Sequence, residues 1–233
     1  MIAPYILLSL LLPLVMLAGL IWLVVWSTRR ARARARARFA QVQSVGWYPV
    51  PPNPWLCQVA ANLFKKGKPG EMYVGQYNGR GLCVLDYTYV TSNGKSTQTH
   101  RINLVALTLP VALPPITVMR DNGLRRMLGG RDLELENQQF NERFRVECLD
   151  DRYGSAVMHP RMMECVLRNP GLEWQIAGNA FVSWGRDAFA VPDVFARLDA
   201  MTRLVDLLPP FVLRDYGSPG LLLSPFTVGY GVR

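Results

Sequence analysis

MYVGQYNGRGLCVLDYTYVTSNGKSTQTHRINLVALTL, residues 72–109, decides the fold. β-Branched and aromatic residues dominate short runs bounded by turn residues, which predicts strands over 72–77, 81–90 and 97–109. Asn78-Gly79 and Asn93-Gly94 accept the positive φ that two-residue hairpin turns require, so neighbouring strands are expected to pair antiparallel as a meander. A further strand over 116–119 follows Pro110, Pro114 and Pro115, which break a ladder at a strand end or edge.

The pattern changes on either side of this meander. Upstream, residues 56–66 predict a short helix, with Lys65, Lys66 and Lys68 near its C-terminal end, where cations complement the dipole. Downstream, 123–128 suit one or two helical turns, Gly129-Gly130 a turn, and 132–136 and 144–149 strands, with Phe140 in the core. Asp150 or Asp151 can cap a helix over 152–158, and Pro160 opens another that carries Met162, Met163, Val166 and Leu167 at core spacing. Residues 172–176 and 180–184 predict a second hairpin around Ala177, Gly178 and Asn179. The clearest helix starts at Pro192, carries the stripe Val194, Phe195, Leu198, Met201, Leu204, Val205 and Leu208, and stops at Pro209-Pro210. Together these elements predict an α+β class: a mainly antiparallel sheet with two or three packed helices, preceded by one N-terminal transmembrane helix.

That last expectation comes from residues 5–26, an uncharged Leu-, Val- and Ile-rich stretch about as long as a bilayer core requires. Tyr5 at one end and Trp22 with Trp26 at the other suit the two membrane interfaces, and Pro13 predicts a kink. A cleaved signal peptide competes, but its basic residues should precede the apolar core. Here Arg29, Arg30, Arg32, Arg34, Arg36 and Arg38 follow it, alternating with alanine. The positive-inside bias then predicts a single-pass protein of the inner (plasma) membrane, with its N-terminus outside and its C-terminal domain cytoplasmic. Steps of two residues distribute the arginines around a helix, so this collar is expected to touch the lipid bilayer's anionic headgroups rather than nucleic acid.

The resulting domain plan is an anchor over 1–28, an Arg-Ala collar and Pro-rich linker over 29–55, a soluble α+β domain over 56–210, and a Gly/Pro-rich apolar tail over 211–233. The linker's prolines, between Trp47 and Trp55, favour an extended strap. Leu221, Leu222, Leu223 and Phe226 in the tail would be unfavourable to expose, so the tail is expected to lie on the domain, a partner or the membrane surface. The 233 residues hold one domain plus an appendage, not two large domains. The net charge of +9 is concentrated at the start: residues 39–233 hold 20 basic against 17 acidic residues, a net +3.

Catalytic signals are sparse. The only imidazoles are His100 and His159, and the most tempting cluster is Cys148, His159 and Cys165 with Asp150, Asp151 and Glu164 nearby. A thiolate with an imidazole can serve as nucleophile and base or bind a metal, but this spacing matches no common zinc pattern. Cys57 and Cys83 form no CxxC, and neither a Walker loop nor a GxGxxG turn occurs. No metal, cofactor or catalytic residue is therefore assigned.

Residues 140–146, FNERFRV, and 159–164, HPRMME, with Asp150, Asp151, Arg152 and Tyr153 between them, resemble a module of uncharacterised, mostly actinobacterial membrane-anchored proteins. The resemblance implies family membership without an established activity. In this module Phe140 and Phe144 are expected to anchor a turn into the core, and Arg143, Arg145 and Arg161 to pair with Glu142, Asp151 or Glu164. An anchor, an apolar tail and a missing catalytic signature point to a protein-interaction or accessory module with an unidentified partner in a membrane or envelope complex. Anionic-lipid sensing and an unrecognised hydrolase or transferase are the alternatives.

Overall fold

The computed structural model describes residues 3–121 and 133–219, apart from some side chains near the N-terminus. The chain divides into two compact units, Met1–Val45 and Gly46–Arg233. The first unit is helix α1, Ala3–Ser44, which runs unbroken past Pro13 and into the Arg-Ala repeat. Among the described residues no helix is long and apolar enough to cross a membrane. This corrects the expected transmembrane helix and, with it, the single-pass plasma-membrane location. Trp22 stacks on Trp26 at 6.2 Å, and the Arg30 guanidinium lies 4.9 Å over the Trp26 ring, so these i, i+4 neighbours form one ladder along the helix.

In the second unit, β2 (Gly67–Tyr77) and β3 (Arg80–Ser92) are joined as the Asn-Gly signal predicts. Tyr77 pairs with Arg80 across a two-residue turn in which Asn78 and Gly79 hold φ of 48° and 74°. The turn from β3 into β4 (Thr97–Arg120) differs from the two-residue expectation. It is a four-residue loop between Ser92 and Thr97, organised by Asn93, whose Oδ1 accepts from the Lys95 and Ser96 backbone N–H groups at 3.2 and 2.8 Å. β1 (Tyr48–Val50) is the Pro-rich strap, paired antiparallel on the outer edge of β2.

β4 does not stop at its prolines. It continues through them as a bulged strand, pairing first with β3 and later, from Ile116 to Arg120, with β5 (Phe144–Cys148). The bulge, which a local reading takes for a strand end, has distant partners. Tyr153 donates its hydroxyl to the Pro114 carbonyl at 2.9 Å, and Ala112 exchanges backbone hydrogen bonds with Ser218 at 3.0 and 2.9 Å. The expected second hairpin is likewise one strand, β6 (Glu173–Arg186), both halves of which pair with β4. It bends at Gly178, φ 56°, sharply enough for Trp174 to stack on Phe181 at 4.8 Å and for the Ser183 hydroxyl to donate to the Glu173 carbonyl at 2.8 Å. The sheet order is β1-β2-β3-β4-β5, with β6 on the other edge of β4.

Helices cover both faces. α2 (Pro54–Leu63), capped by Asn53, lays Leu56, Val59 and Ala60 on Met72, Cys83, Leu85, Leu104 and Val182. Strand alternation sends Tyr73, Val84, Asn103, Val105 and Phe181 to the opposite face. There α6 (Val191–Asp206) packs on β4 and β6 through Val194, Leu198, Met201, Leu204 and Val205, the stripe expected from its period. Trp47 stacks on Phe195 of α6 at 5.4 Å and covers Gly75, where a Cβ would collide with the indole. Short helices close the end near β5: α3 (Gln138–Asn141), α4 (Asp151–Val157, capped by Asp150), α5 (Pro160–Arg168) and α7 (Pro210–Asp215). The turn expected over 123–128, Gly129-Gly130 and the apolar tail from Leu221 lie outside the described residues, as does Asp132. Residues 133–136 form no strand, although the Leu133 N–H donates to the Val146 carbonyl of β5 at 3.0 Å.

Candidate functional site

The structure does not assemble the nucleophile or metal cluster that the sequence suggested. His159 precedes α5 and donates Nε2–H to the Leu207 carbonyl at 3.0 Å, tying that helix start to the end of α6. Cys148 donates Sγ–H to the Asp150 carbonyl at 3.3 Å and packs where Gly154 leaves no Cβ. Cys165 lies on α5, its carbonyl accepting from Asn169 at 2.8 Å. Among the described residues no three His, Cys, Asp or Glu side chains could hold a metal ion. The other thiols are poor nucleophiles too: burial pushes Cys83 up to about 12 and raises Cys57.

The module residues are structural in position. Phe140 and Phe144 are buried and stacked at 5.2 Å, as expected of core anchors. Arg145, buried on β5, pairs with Glu147 at 3.3 Å, and Glu164 pairs with Arg168 one turn along α5 at 3.4 Å. Of the arginine collar, Arg29, Arg30 and Arg36 are exposed and Arg38 is partly buried, whereas the side chains of Arg32 and Arg34 lie outside the description.

A cluster that sequence reasoning missed lies at the open end of the sheet, on the α2 face. Tyr89 on β3 is paired in register with His100 on β4, and their rings stack at 4.9 Å. Phe64, at the C-cap of α2, stacks on Tyr89 at 5.4 Å and meets Trp184 of β6 edge-on at 5.9 Å. Polar groups set the rim orientations. Thr91 Oγ1 and His100 Nε2 share a 2.7 Å hydrogen bond, and Trp184 Nε1–H donates to Glu173 at 2.9 Å. All four rings are only partly buried, unlike the sealed Trp174–Phe181 pair deeper in the fold.

Geometry exposes this platform. The ladder between β2 and β3 ends at Tyr89, and that between β4 and β6 ends at Ile102, so the β3–β4 hairpin projects beyond both neighbours. Lys65 and Lys66 follow Phe64 directly and are exposed, with the Lys65 carbonyl fixed by the Tyr87 hydroxyl at 3.1 Å. An aromatic surface rimmed by lysines can bind a partner through stacking and charge, while no side chain there is placed as a nucleophile. The available signal was the Tyr87-Thr88-Tyr89 alternation, but the four rings come from four separate elements.

No family model matches the chain, and no curated protein matches it. Among solved structures, the mycobacterial trehalose monomycolate transport factor A, TtfA, is similar, with a TM-score of 0.53 and 12% sequence identity over 80% of this chain and 96% of that one. At this identity the likeness concerns the fold alone: an α+β arrangement over most of both chains.

Proposed function

We propose that the chain is an accessory module that binds a protein partner within an envelope-associated assembly, using the aromatic platform as its docking surface. The observation that carries this reading is the partly exposed row Phe64, Tyr89, His100 and Trp184 at the base of a hairpin that projects past its neighbours. Aromatic side chains left open at a rigid sheet end are favourable interface anchors, because they bury large area at little entropic cost. The solved neighbour is named as a transport factor, and this supports an accessory rather than a catalytic role. The histidines and cysteines support the same reading through the structural bonds and burial described above.

The test is quantitative crosslinking followed by mass spectrometry, comparing the unaltered chain with Tyr89→Ser/His100→Ala. A control, Glu164→Gln, alters an exposed ion pair away from the platform. At least one specifically crosslinked protein should be retained by the unaltered chain and the control but be lost from the platform variant. Equal retention by all three would exclude the platform as the docking surface.

A further inference from the structure

The projecting hairpin leaves one edge of β4 bare. On that edge β4 runs beside β6 until the two backbones part at Asp187, whose N–H donates to the Arg101 carbonyl at 2.9 Å. Asp187 adopts φ 65°, which turns the chain off β4, and Asp86 of β3 then accepts from the Phe189 N–H at 3.0 Å. Backbone groups of an antiparallel strand point alternately to its two neighbours. The Arg101 carbonyl faces β6, so the N–H and C=O groups of Thr99 and Thr97 point to that side as well. The other parity agrees, because the Ser96 carbonyl turns to the β3 side and accepts from the Asn93 N–H at 3.2 Å. Among the described residues no strand lies beside the outward groups of Thr97 and Thr99.

A bare edge is a template for another strand, and sheets commonly blunt it with prolines or bulges. Neither device is present here. Thr97, Gln98, Thr99, His100 and Arg101 include no proline, their register with β3 is continuous, and Thr97 to Thr99 are exposed. The charges around the edge select what can lie on it. Arg186, in register with Ile102, stands on the platform face at the inner end of the edge, and Arg101 stands beside it on the α6 face. Lys95 sits in the loop at the outer end, and Lys65 and Lys66 lie across the platform; all five cations are exposed. Asp86, Glu173 and Asp187 oppose them, but Asp86 also holds the Phe189 N–H, and Glu173 the Trp184 indole and the Arg120 N–H. A second copy laid on this edge would bring like charges together, whereas an acidic segment meets opposite charge at both ends.

We propose that the bare β4 edge takes up an extended acidic segment of the protein partner as an added strand. Main-chain hydrogen bonds to Thr97 and Thr99 supply affinity, and the side chain that falls beside His100 reaches the platform, which favours an aromatic residue there. The proposal rests on the platform reading and deepens it by naming the form and charge of what docks.

The test follows amide hydrogen exchange by NMR in the full chain with three blocked pentapeptides: Glu-Val-Tyr-Val-Glu, Lys-Val-Tyr-Val-Lys, and the first peptide with its amides N-methylated. In the free chain the Thr97 and Thr99 amides should exchange rapidly at every protein concentration. The acidic peptide should slow both saturably, bind about tenfold more tightly than the lysine peptide, and lose its binding on N-methylation. Thr99→Pro removes an N–H from the open side only, so it spares the ladder to β3 and should abolish protection at Thr97, with dispersed amide spectra establishing that the variant is folded. Slow exchange in the free chain would give the edge to the chain's own segments, and exchange that slows with protein concentration would give it to a second copy; either overturns the proposal. So would the absence of saturable protection, equal binding of the two charge forms, or binding that survives N-methylation or Thr99→Pro. Adding Thr99→Pro to the crosslinking comparison separates the two readings. A protein crosslink lost only from Tyr89→Ser/His100→Ala keeps the platform and removes the added strand, a crosslink kept by both variants removes both readings, and loss from both supports both.

Discussion

The two faces of one sheet end differently. On the α6 face this end is covered by Arg197 seated on Asn103, while on the α2 face the helix stops at Phe64 and leaves Tyr89, His100 and Trp184 partly open. The strands are the same, so the difference lies in the covering helices. α6 has 16 residues, whereas α2 has 10 and ends before the sheet does. Packing one face fully and the other partly separates stability from recognition in a small domain.

The contrast is broken most severely from the closed side. Leu198→Ala removes a fully buried side chain from α6 and should cost about 2–5 kcal/mol, measured as a lower urea midpoint at unchanged m-value. Gly75→Ala forces a Cβ into the Trp47 indole and should cost about 1–3 kcal/mol, visible also as altered tryptophan fluorescence. Cys83 then sharpens how dry the α2 core is beneath the open end. Its folded pKa of about 12 lies above the ordinary 9.0, so the unfolded chain loses this proton first as pH rises. The stability from keeping the thiol protonated is therefore complete below pH 9 and falls by at most about 1.4 kcal/mol per pH unit until pH reaches about 12. Denaturation of the unaltered chain and Cys83→Ala at pH 8 and pH 10 isolates this slope, since the variant lacks it. The smallest effect belongs to the platform. His100→Ala should cost less than about 1 kcal/mol, because the ring is partly exposed and its hydrogen bond is to a hydroxyl; a larger loss would make the platform part of the core.

How much of this was legible depended on sequence distance. Asn78-Gly79 predicted its hairpin because a turn's φ requirements are local, and the α6 stripe predicted a buried helix for the same reason. β4 was divided at its prolines because what stabilises the bulge, Tyr153 and Ser218, comes 39 residues after Pro114 in one case and from beyond α7 in the other. Ala177-Gly178-Asn179 satisfied the same turn chemistry as a hairpin, yet β4 offered both halves of β6 a longer ladder. The apolar N-terminal stretch reads as a membrane span, whereas among the described residues no helix meets the length and apolarity that crossing requires. The candidate site was the least legible part. Phe64, Tyr89, His100 and Trp184 meet only after α2, β3, β4 and β6 are in place, and His159 and the cysteines drew attention for chemistry that the fold directs into structure.

The most direct test of the partner surface is a photo-crosslinking amino acid at Lys65, exposed directly after Phe64 at the platform rim, compared with the same probe at Arg168 on α5. The account predicts a discrete, reproducible protein adduct from position 65 that disappears in the Tyr89→Ser/His100→Ala background, and none from position 168. Equal adducts from both positions, or an adduct at position 65 that persists in that background, would contradict it.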